Sequence, residues 1–198
     1  MTTTNPHPAK IRWDNRLVND NGSRCKVCID GTDFRIQEPT PFSPRWFTKK
    51  FKSAGLRYEV GSCIQTGMIV WINGPFPCGE WPDLRIALDD IVYMLEGDER
   101  VIADKGYGGH PEFFDCPWRH LDNAIQTGRK ALVRARHECI NRRFKQWDIL
   151  QQTFRHSIYK HANVFRAVAN IVQFLLEQEP TWQVEYNDRI DNEFDFDY

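Results

Sequence analysis

Three carboxylic acids in this sequence stand in settings that suit the binding of metal ions. Asp30 follows the short β-branched run CKVCI and precedes a glycine, and Asp104 follows VIA in a similar way. Apolar runs that are cut off by an acid and glycines are typical of buried strands whose carboxyl ends open into loops. Glu138 is the single acid among seven Lys and Arg residues between positions 129 and 145, where the spacing is helical.

This set of acids matches the chemistry of phosphodiester cleavage. That reaction requires an activated water or hydroxyl and a stabilised leaving oxygen, and two Mg²⁺ ions roughly 3.5–4 Å apart supply both. Carboxylates are the hard ligands that such ions prefer. We therefore predict that Asp30, Asp104 and Glu138 are catalytic and hold two Mg²⁺ or Mn²⁺ ions, with the aspartates on neighbouring strands and the glutamate on a helix beside them.

Each of these features also has a simpler interpretation. Asp104 can be a strand-ending residue that caps a turn, and Glu138 can form an i,i+4 ion pair with Arg142 worth a few tenths of a kcal/mol. The ion pair does not explain why Glu138 is the only acid among seven bases. Cys25 and Cys28 form a lone CxxC, which is a weak signal of zinc because no second pair is spaced to complete a site.

The surrounding pattern predicts the elements that position the three acids. Strands are predicted at residues 25–30, 56–64, 68–74 and 101–104, with a hairpin turn at 65–67. Helices are predicted from Pro82 to Leu95, over 121–147 and over 159–178. This order favours an α/β fold with a ribonuclease H-like mixed sheet flanked by helices.

Length and composition fit a single domain. The chain has 198 residues, of which 41% are hydrophobic and 13% aromatic. This is enough for one hydrophobic core, and the apolar content is too high for a generally disordered chain. The sequence has no apolar run of the roughly 18 residues that a membrane span requires, and it has no secretory signal. Both observations favour a soluble, intracellular protein with reduced cysteines. We expect an extended lead-in over 1–24, the catalytic domain over 25–178 and an acidic, mobile tail over 179–198.

Charge is distributed unevenly along the chain although the net charge is only −1. The seven bases between 129 and 145 contrast with six acids and one Arg between 185 and 198. Such asymmetry points to a nucleic-acid partner more clearly than the net charge does. The residues predicted to contact DNA are Lys49, Lys50, Lys52, Lys105, Arg134, Arg142 and Lys145.

Five stretches together resemble the DDE-type nuclease domain of PIF/Harbinger-class transposases, over roughly residues 13–177. They are CIDGTDF, KFKSAGLRYEVG, INGPFPCGEWPD, ADKGY and RHECINRRFKQW. The resemblance implies that Asp30, Asp104 and Glu138 are the metal-binding triad of a DDE endonuclease domain. Asp83 matches an aspartate of the family's GS-x-x-D-like stretch, but the sequence here is CGEWPD, which leaves its role open. Asp33 is either a fourth ligand or a turn residue.

The resemblance implies a metal-dependent DNA endonuclease and strand-transfer domain of a Harbinger-like transposase, located in the nucleus of a eukaryotic host. Its expected partner is DNA, at transposon ends and at the target, and no membrane is involved. A separate DNA-binding partner protein and a homodimer both stay open. Only 29 residues precede Asp30 and they do not read as helices, so we expect a catalytic domain without the helical DNA-binding region usual in this class.

Two alternatives come from other functional classes. One is a domesticated nuclease-like protein that binds DNA or proteins in the nucleus without catalysis. The other is a ribonuclease acting on RNA–DNA hybrids, which would normally need a clear fourth carboxylate and contacts to 2′-hydroxyl groups.

Overall fold

The described part of the chain forms a six-stranded sheet flanked by helices. A computed structural model describes residues 10–117 and 124–189. The strands are β1 Cys25–Arg35, β2 Phe47–Thr48, β3 Ser53–Cys63, β4 Ile69–Pro77, β5 Arg100–Ile102 and β6 Phe114–Asp115. The α-helices are α1 Asp83–Asp89, α2 Ala124–Phe144, α3 Asp148–Gln151 and α4 Ile158–Gln178. The predicted fold class, a ribonuclease H-like mixed α/β sheet flanked by helices in a single domain, is confirmed.

The strand order places β1 in the middle of the sheet. The order is β2-β3-β1-β5-β6, and β4 also pairs with β3. β3 runs antiparallel to β1 and to β4, whereas β5 runs parallel to β1 and to β6. The connection from β3 to β4 is the predicted hairpin, in which Gly67 has a φ of +73°. Glycine tolerates this left-handed conformation without the steric cost that a side chain brings.

β1 is longer than its sequence pattern predicts. The apolar run was expected to end at Asp30, but the strand continues to Arg35, so Asp30 and Gly31 lie within it. The ladder with β3 extends without interruption from Val27 opposite Cys63 to Arg35 opposite Gly55. Because this long partner strand satisfies the backbone along its whole length, it overrides the low strand propensity of the Asp-Gly pair. The prediction that Asp30 ends a strand is therefore wrong, whereas Asp104 does follow β5 closely.

Helices α2 and α4 pack on one face of the sheet around a cluster of aromatic rings. The rings of Tyr58 and Phe165 stack with centroids 3.9 Å apart, and Phe144 stacks on Phe165 at 5.1 Å. His161 joins this cluster and shares a 2.8 Å hydrogen bond between its Nδ1 and the Tyr58 hydroxyl. A second hydrophobic cluster lies between the sheet and α1. Helices therefore cover the sheet near the three predicted acids.

Both ends of the described chain pack against the domain. In the segment predicted as an extended lead-in, a 3₁₀-helix at Trp13–Leu17 buries Arg16 against Glu99. In the segment predicted as a mobile tail, Val184 and Tyr186 are buried in a cluster with residues of β1, because they are apolar within an acidic stretch. The predicted start of the second helix at Leu121, the first nine residues and residues 190–198 lie outside the described residues.

All six cysteines are free thiols. Burial raises the pKa of the Cys25 and Cys28 thiols. Among the described helices, none combines the length and apolar character that a membrane crossing requires.

Candidate active site

The three acids predicted to form the triad line one cavity of about 310 Å³. Asp30 comes from the middle of β1, Asp104 follows β5 and Glu138 projects from α2. The remaining wall residues are Cys28, Ile29, Ala131, Arg134, Ala135 and His137. Residues separated by 74 and 34 positions in the sequence therefore meet at one place on the surface.

The parallel pairing of β1 with β5 explains why the two aspartates meet. Cys28 lies opposite Ile102 in this ladder, and each aspartate stands two residues further along its chain. Because side chains alternate between the faces of a sheet, a step of two residues returns to the same face. That face is the one covered by α2, where Ile140 is fully buried against the sheet.

Hydrogen bonds from the protein fix both aspartate side chains. Asp30 accepts a 2.8 Å bond from the amide of Gly31 at one oxygen and a 3.3 Å bond from Asn141 at the other. Asp104 accepts a 2.7 Å bond from the amide of Gly106 and caps the short 3₁₀-helix that follows. The capping interpretation of Asp104 is thus met.

Crowding of negative charge perturbs the site. Burial, together with the charges of Asp83, Asp104 and Glu138, raises the pKa of Asp30 to about 6. Repulsion of this kind among carboxylates favours protonation or a cation that offsets it.

Residues 29–173, well over half of the chain, match the model of a protein family described as DDE superfamily endonuclease. The chain belongs to this family. Searches of curated proteins and of solved structures give no significant match. Membership in the family indicates an endonuclease of the transposase type, which acts on DNA.

In this member of the DDE endonuclease family, Asp83 stands beside Asp30. A Cβ atom added to Gly31 would lie 1.8 Å from Asp83 Oδ1, so the carboxylate occupies the space that the glycine leaves open. Burial raises the pKa of Asp83, which the guanidinium of Arg57 partly opposes. The sequence left the role of Asp83 open, and the structure brings it within the electrostatic reach of Asp30.

Asp33 is engaged in a buried ion pair. Its carboxylate accepts bonds of 2.7 and 3.1 Å from Arg57 and one of 2.8 Å from the Thr48 hydroxyl. These contacts outweigh the effect of burial and lower the pKa of Asp33. Arg57 also lies 3.2 Å from Asp83 Oδ1, but its Nε–H is directed at Asp33, so Asp83 Oδ1 receives no hydrogen bond from a described residue. Asp33 therefore holds Arg57 in place, which the turn interpretation did not anticipate.

Sequence reasoning missed two charged residues of β3, Arg57 and Glu59. Both interrupt the apolar run LRYEV, and this interruption is the signal that they carried. Their importance depends on their partners, because Arg57 lies opposite Asp33 and Glu59 lies opposite Gly31 in the β1–β3 ladder. That pairing cannot be read from either strand alone.

The structure places the predicted DNA-binding residues in different surroundings. A second groove of about 950 Å³ shares Asp30 and Asp104 with the acid cavity and is also lined by Lys49 and Lys50. Arg134 lines the acid cavity itself. Lys145 is half-buried, and its pKa is lowered by burial and by the charge of the nearby Lys50. The remaining predicted contacts are exposed and line neither space; they are Lys52, Lys105 and Arg142.

The donor chemistry of the site fits a hard divalent cation. Carboxylate oxygens are the ligands that Mg²⁺ prefers. Burial is the main cause of the raised pKa of Asp30, and the neighbouring acids that add to it carry negative charge that a cation would offset. Over residues 10–117 and 124–189, no group of three or more His, Cys, Asp or Glu side chains is arranged to hold a metal ion. The acids thus line a common cavity without forming a closed set of ligands.

Proposed function

We propose that this chain is the metal-dependent DNA endonuclease and strand-transfer domain of a PIF/Harbinger-like transposase and that it acts in the nucleus. The family supports the nuclease class and the DNA substrate, and the Harbinger subclass rests on the five sequence stretches that resemble it. The observation that carries the proposal is the convergence of Asp30, Asp104 and Glu138 on one cavity.

The acids of the cavity and the groups that bond to them have specific roles in this proposal. Asp30, Asp104 and Glu138 would hold two Mg²⁺ or Mn²⁺ ions. Such ions, when bound, supply activation of the attacking water or hydroxyl and charge stabilisation of the leaving oxygen. Asn141 and the amide of Gly106 keep the two aspartates oriented toward the cavity.

Arg134 would bind substrate phosphate at the wall of the cavity. It stands four residues before Glu138 on α2, one helical turn away, so the two side chains share a face. A guanidinium pairs with phosphate through charge-assisted hydrogen bonds. The DNA backbone and the catalytic acids would therefore meet along one line of the helix.

A domesticated protein that binds DNA or a nuclear protein without catalysis is the second candidate. One observation favours it, namely that no set of described side chains is arranged to hold a metal ion. A nicking assay separates the two candidates, because the domesticated protein would bind plasmid DNA and leave it intact.

The test is nicking of supercoiled plasmid in Mg²⁺ or Mn²⁺ by the parent and by Asp104→Asn. Asparagine caps a helix about as well as aspartate, so the variant keeps the turn at Gly106 and loses the ligand charge. We expect nicking to fall by roughly 100-fold or more, since even outer-shell changes cost 10–100-fold at metal sites. Asp14→Asn, whose side chain is 90% exposed, is the matched control and should nick like the parent. Full activity in Asp104→Asn would refute the assignment of the site.

A further inference from the structure

The second groove presents aromatic rings beside lysines. Phe42 is 59% exposed and Phe47 is 39% exposed, and both line this groove. Lys49 and Lys50 follow them in sequence and line the same groove, which reaches the catalytic acids through Asp30. Large apolar rings that stay open to solvent within one concave site mark a binding surface.

The segment that carries the rings is held firmly by the rest of the domain. The carbonyl of Arg45 accepts hydrogen bonds of 2.9 Å from the Gly79 amide and 3.1 Å from the Glu80 amide. The Arg45 side chain pairs with the Glu80 carboxylate at 3.1 Å, and Phe47 lies opposite Ala54 in the β2–β3 ladder. A binding surface fixed in this way loses little conformational entropy when a ligand binds.

Close packing underneath the segment supports the same conclusion. A Cβ atom on Gly79 would lie 2.3 Å from the carbonyl oxygen of Pro44, so the backbone of the segment rests directly on the chain below it. The backbone contacts therefore keep the two rings at the surface, and the rings themselves contribute little to the core.

The charges of the groove favour an anionic ligand at the lysines. Arg57, in the groove lining, neutralises Asp33 at 2.7 Å and lies 3.2 Å from Asp83. Among the described residues, the ammonium groups of Lys49 and Lys50 form no ion pair. The two lysines are thus the groove cations that remain for a ligand, next to two rings that offer apolar faces.

We propose that this groove binds unpaired nucleotides that flank the cleaved bond, so that the substrate class is DNA with single-stranded character at the cut. The proposal rests on the proposed function, since it places the groove beside the nuclease site. Lysines that follow a backbone and aromatic rings on which bases stack are the combination that binds single strands. A fully paired duplex does not offer its base faces to such rings, because they are already stacked within the helix.

The test measures binding by the full chain, without divalent ions, to three fluorescent probes. These are a blunt DNA duplex, the same duplex with a thymidine tail, and the duplex with the equivalent uridine tail of RNA. We expect the DNA tail to tighten binding, and Phe42→Ala or Phe47→Ala to raise the Kd for the tailed probe roughly 10-fold while changing that for the blunt duplex less than about 2-fold. Tyr159→Ala removes a ring that is 93% exposed on α4 and should change neither value.

Rescue distinguishes stacking from a structural role. Phe42→Trp keeps a stacking face and should bind the tailed probe as tightly as the parent, whereas misfolding would weaken binding to every probe. Equal losses on blunt and tailed probes, or no loss on either, would overturn the proposal. Tighter binding of the RNA tail than of the DNA tail would overturn the choice of DNA.

The same variants keep this inference separate from the proposed function. Selective loss of tail binding in a protein that never nicks plasmid would retain the groove and reject the nuclease activity. Nicking by a parent whose tail binding does not depend on Phe42 or Phe47 would retain the nuclease and reject the groove.

Discussion

Glu59 is a buried acid on β3, the strand that pairs with β1 beside Asp30. Its side chain is 1% exposed, and Oε2 accepts a 2.9 Å hydrogen bond from the Trp71 indole. The other oxygen has no hydrogen-bond partner among the described residues. Burial, together with the charges of Asp83 and Asp90, raises the pKa of Glu59 from 4.5 to about 8. The carboxyl is therefore neutral at pH 7 and adds no charge to the crowded site.

The raised pKa predicts how Glu59 affects stability. Between pH 4.5 and pH 8 the unfolded chain has ionised this group while the folded protein retains the proton, so raising the pH favours unfolding. The contribution of Glu59 to the free energy of unfolding is fully present below pH 4.5 and is lost as pH rises through about 8. The loss is at most about 1.4 kcal/mol per pH unit.

Glu59→Gln should abolish this pH dependence, because glutamine keeps the shape and does not ionise. Denaturant unfolding of parent and variant at several pH values gives the difference in their free energies of unfolding. We expect the free energy of unfolding of the variant to rise relative to that of the parent as pH rises. Asp30 and Asp83 titrate in both proteins and cancel in this difference. For the control Glu38→Gln, at an exposed position, the free energy of unfolding should change with pH in parallel with that of the parent. Parallel curves for Glu59→Gln would instead show that Glu59 is ionised in the folded protein.

At the scale of elements, α2 both anchors the site and presents it to solvent. Its buried face holds Phe144 and Ile140, and His137 joins it to β3 through a 2.7 Å hydrogen bond with the Ser62 hydroxyl. Arg136 also donates to the carbonyls of Cys63 and Ile64 at the end of β3. These contacts fix the rotation of the helix, and Glu138 therefore faces the cavity from an exposed position.

Glu138→Gln should separate catalysis from binding. Because the residue is exposed, we expect the free energy of unfolding to change by less than about 0.5 kcal/mol. Plasmid nicking should be lost with the ligand charge, whereas DNA affinity in the absence of divalent ions should stay equal or rise, since one negative charge leaves a face that binds phosphate. Glu185→Gln is an exposed control that should alter neither property. Nicking at the parental rate would return Glu138 to the simpler interpretation of an ion pair with Arg142.

The sequence predicted the elements that have strong local signals. The hairpin turn, helix α4 and the acid after β5 each have a recognisable sequence signal within a few residues, and the structure contains all three. The length of β1 was not predictable, because it depends on pairing with β3 beyond Asp30. Val184 and Tyr186 were missed for a similar reason, since an acidic composition hides two apolar residues that contact β1.

The same distinction applies to the site. Asp30, Asp104 and Glu138 were selected because each stands out from its own neighbours in the sequence, and the structure brings all three to one cavity. Glu59 and Arg57 were not, because an acid and a base inside one strand acquire their roles only from the strand that lies opposite. Asp83 was noticed, but its position against Gly31 requires three-dimensional contact between α1 and β1.

For the whole molecule, the net charge of −1 conceals a cationic surface around the acids. Lys49 and Lys50 line the groove, Arg134 lines the acid cavity, and Lys145 is close enough to Lys50 for their charges to repel. Lys145 lines neither space, as is also true of Lys52, Lys105 and Arg142, but its charge lies near that of Lys50, so we take it, together with the three lining cations, as the four contacts for substrate phosphates. Because each phosphate contact releases counterions, affinity for duplex DNA should fall steeply as salt is raised.

The four cations predict the steepness of that salt dependence. At about 0.9 per phosphate contact, they give a slope near −3.6 in a plot of log affinity against log salt, whereas all seven predicted contacts would give about −6. Lys50→Ala and Lys145→Ala should each make the slope shallower by about one unit, because each removes one contact. Lys160→Ala changes an exposed lysine on α4 and should leave the slope unchanged. Titrations of the full chain against duplex DNA at several salt concentrations measure these slopes.

Two outcomes would contradict this prediction. A slope near zero with tight binding would mean that base contacts dominate. A slope near −6 would mean that Lys52, Lys105 and Arg142 also contact DNA.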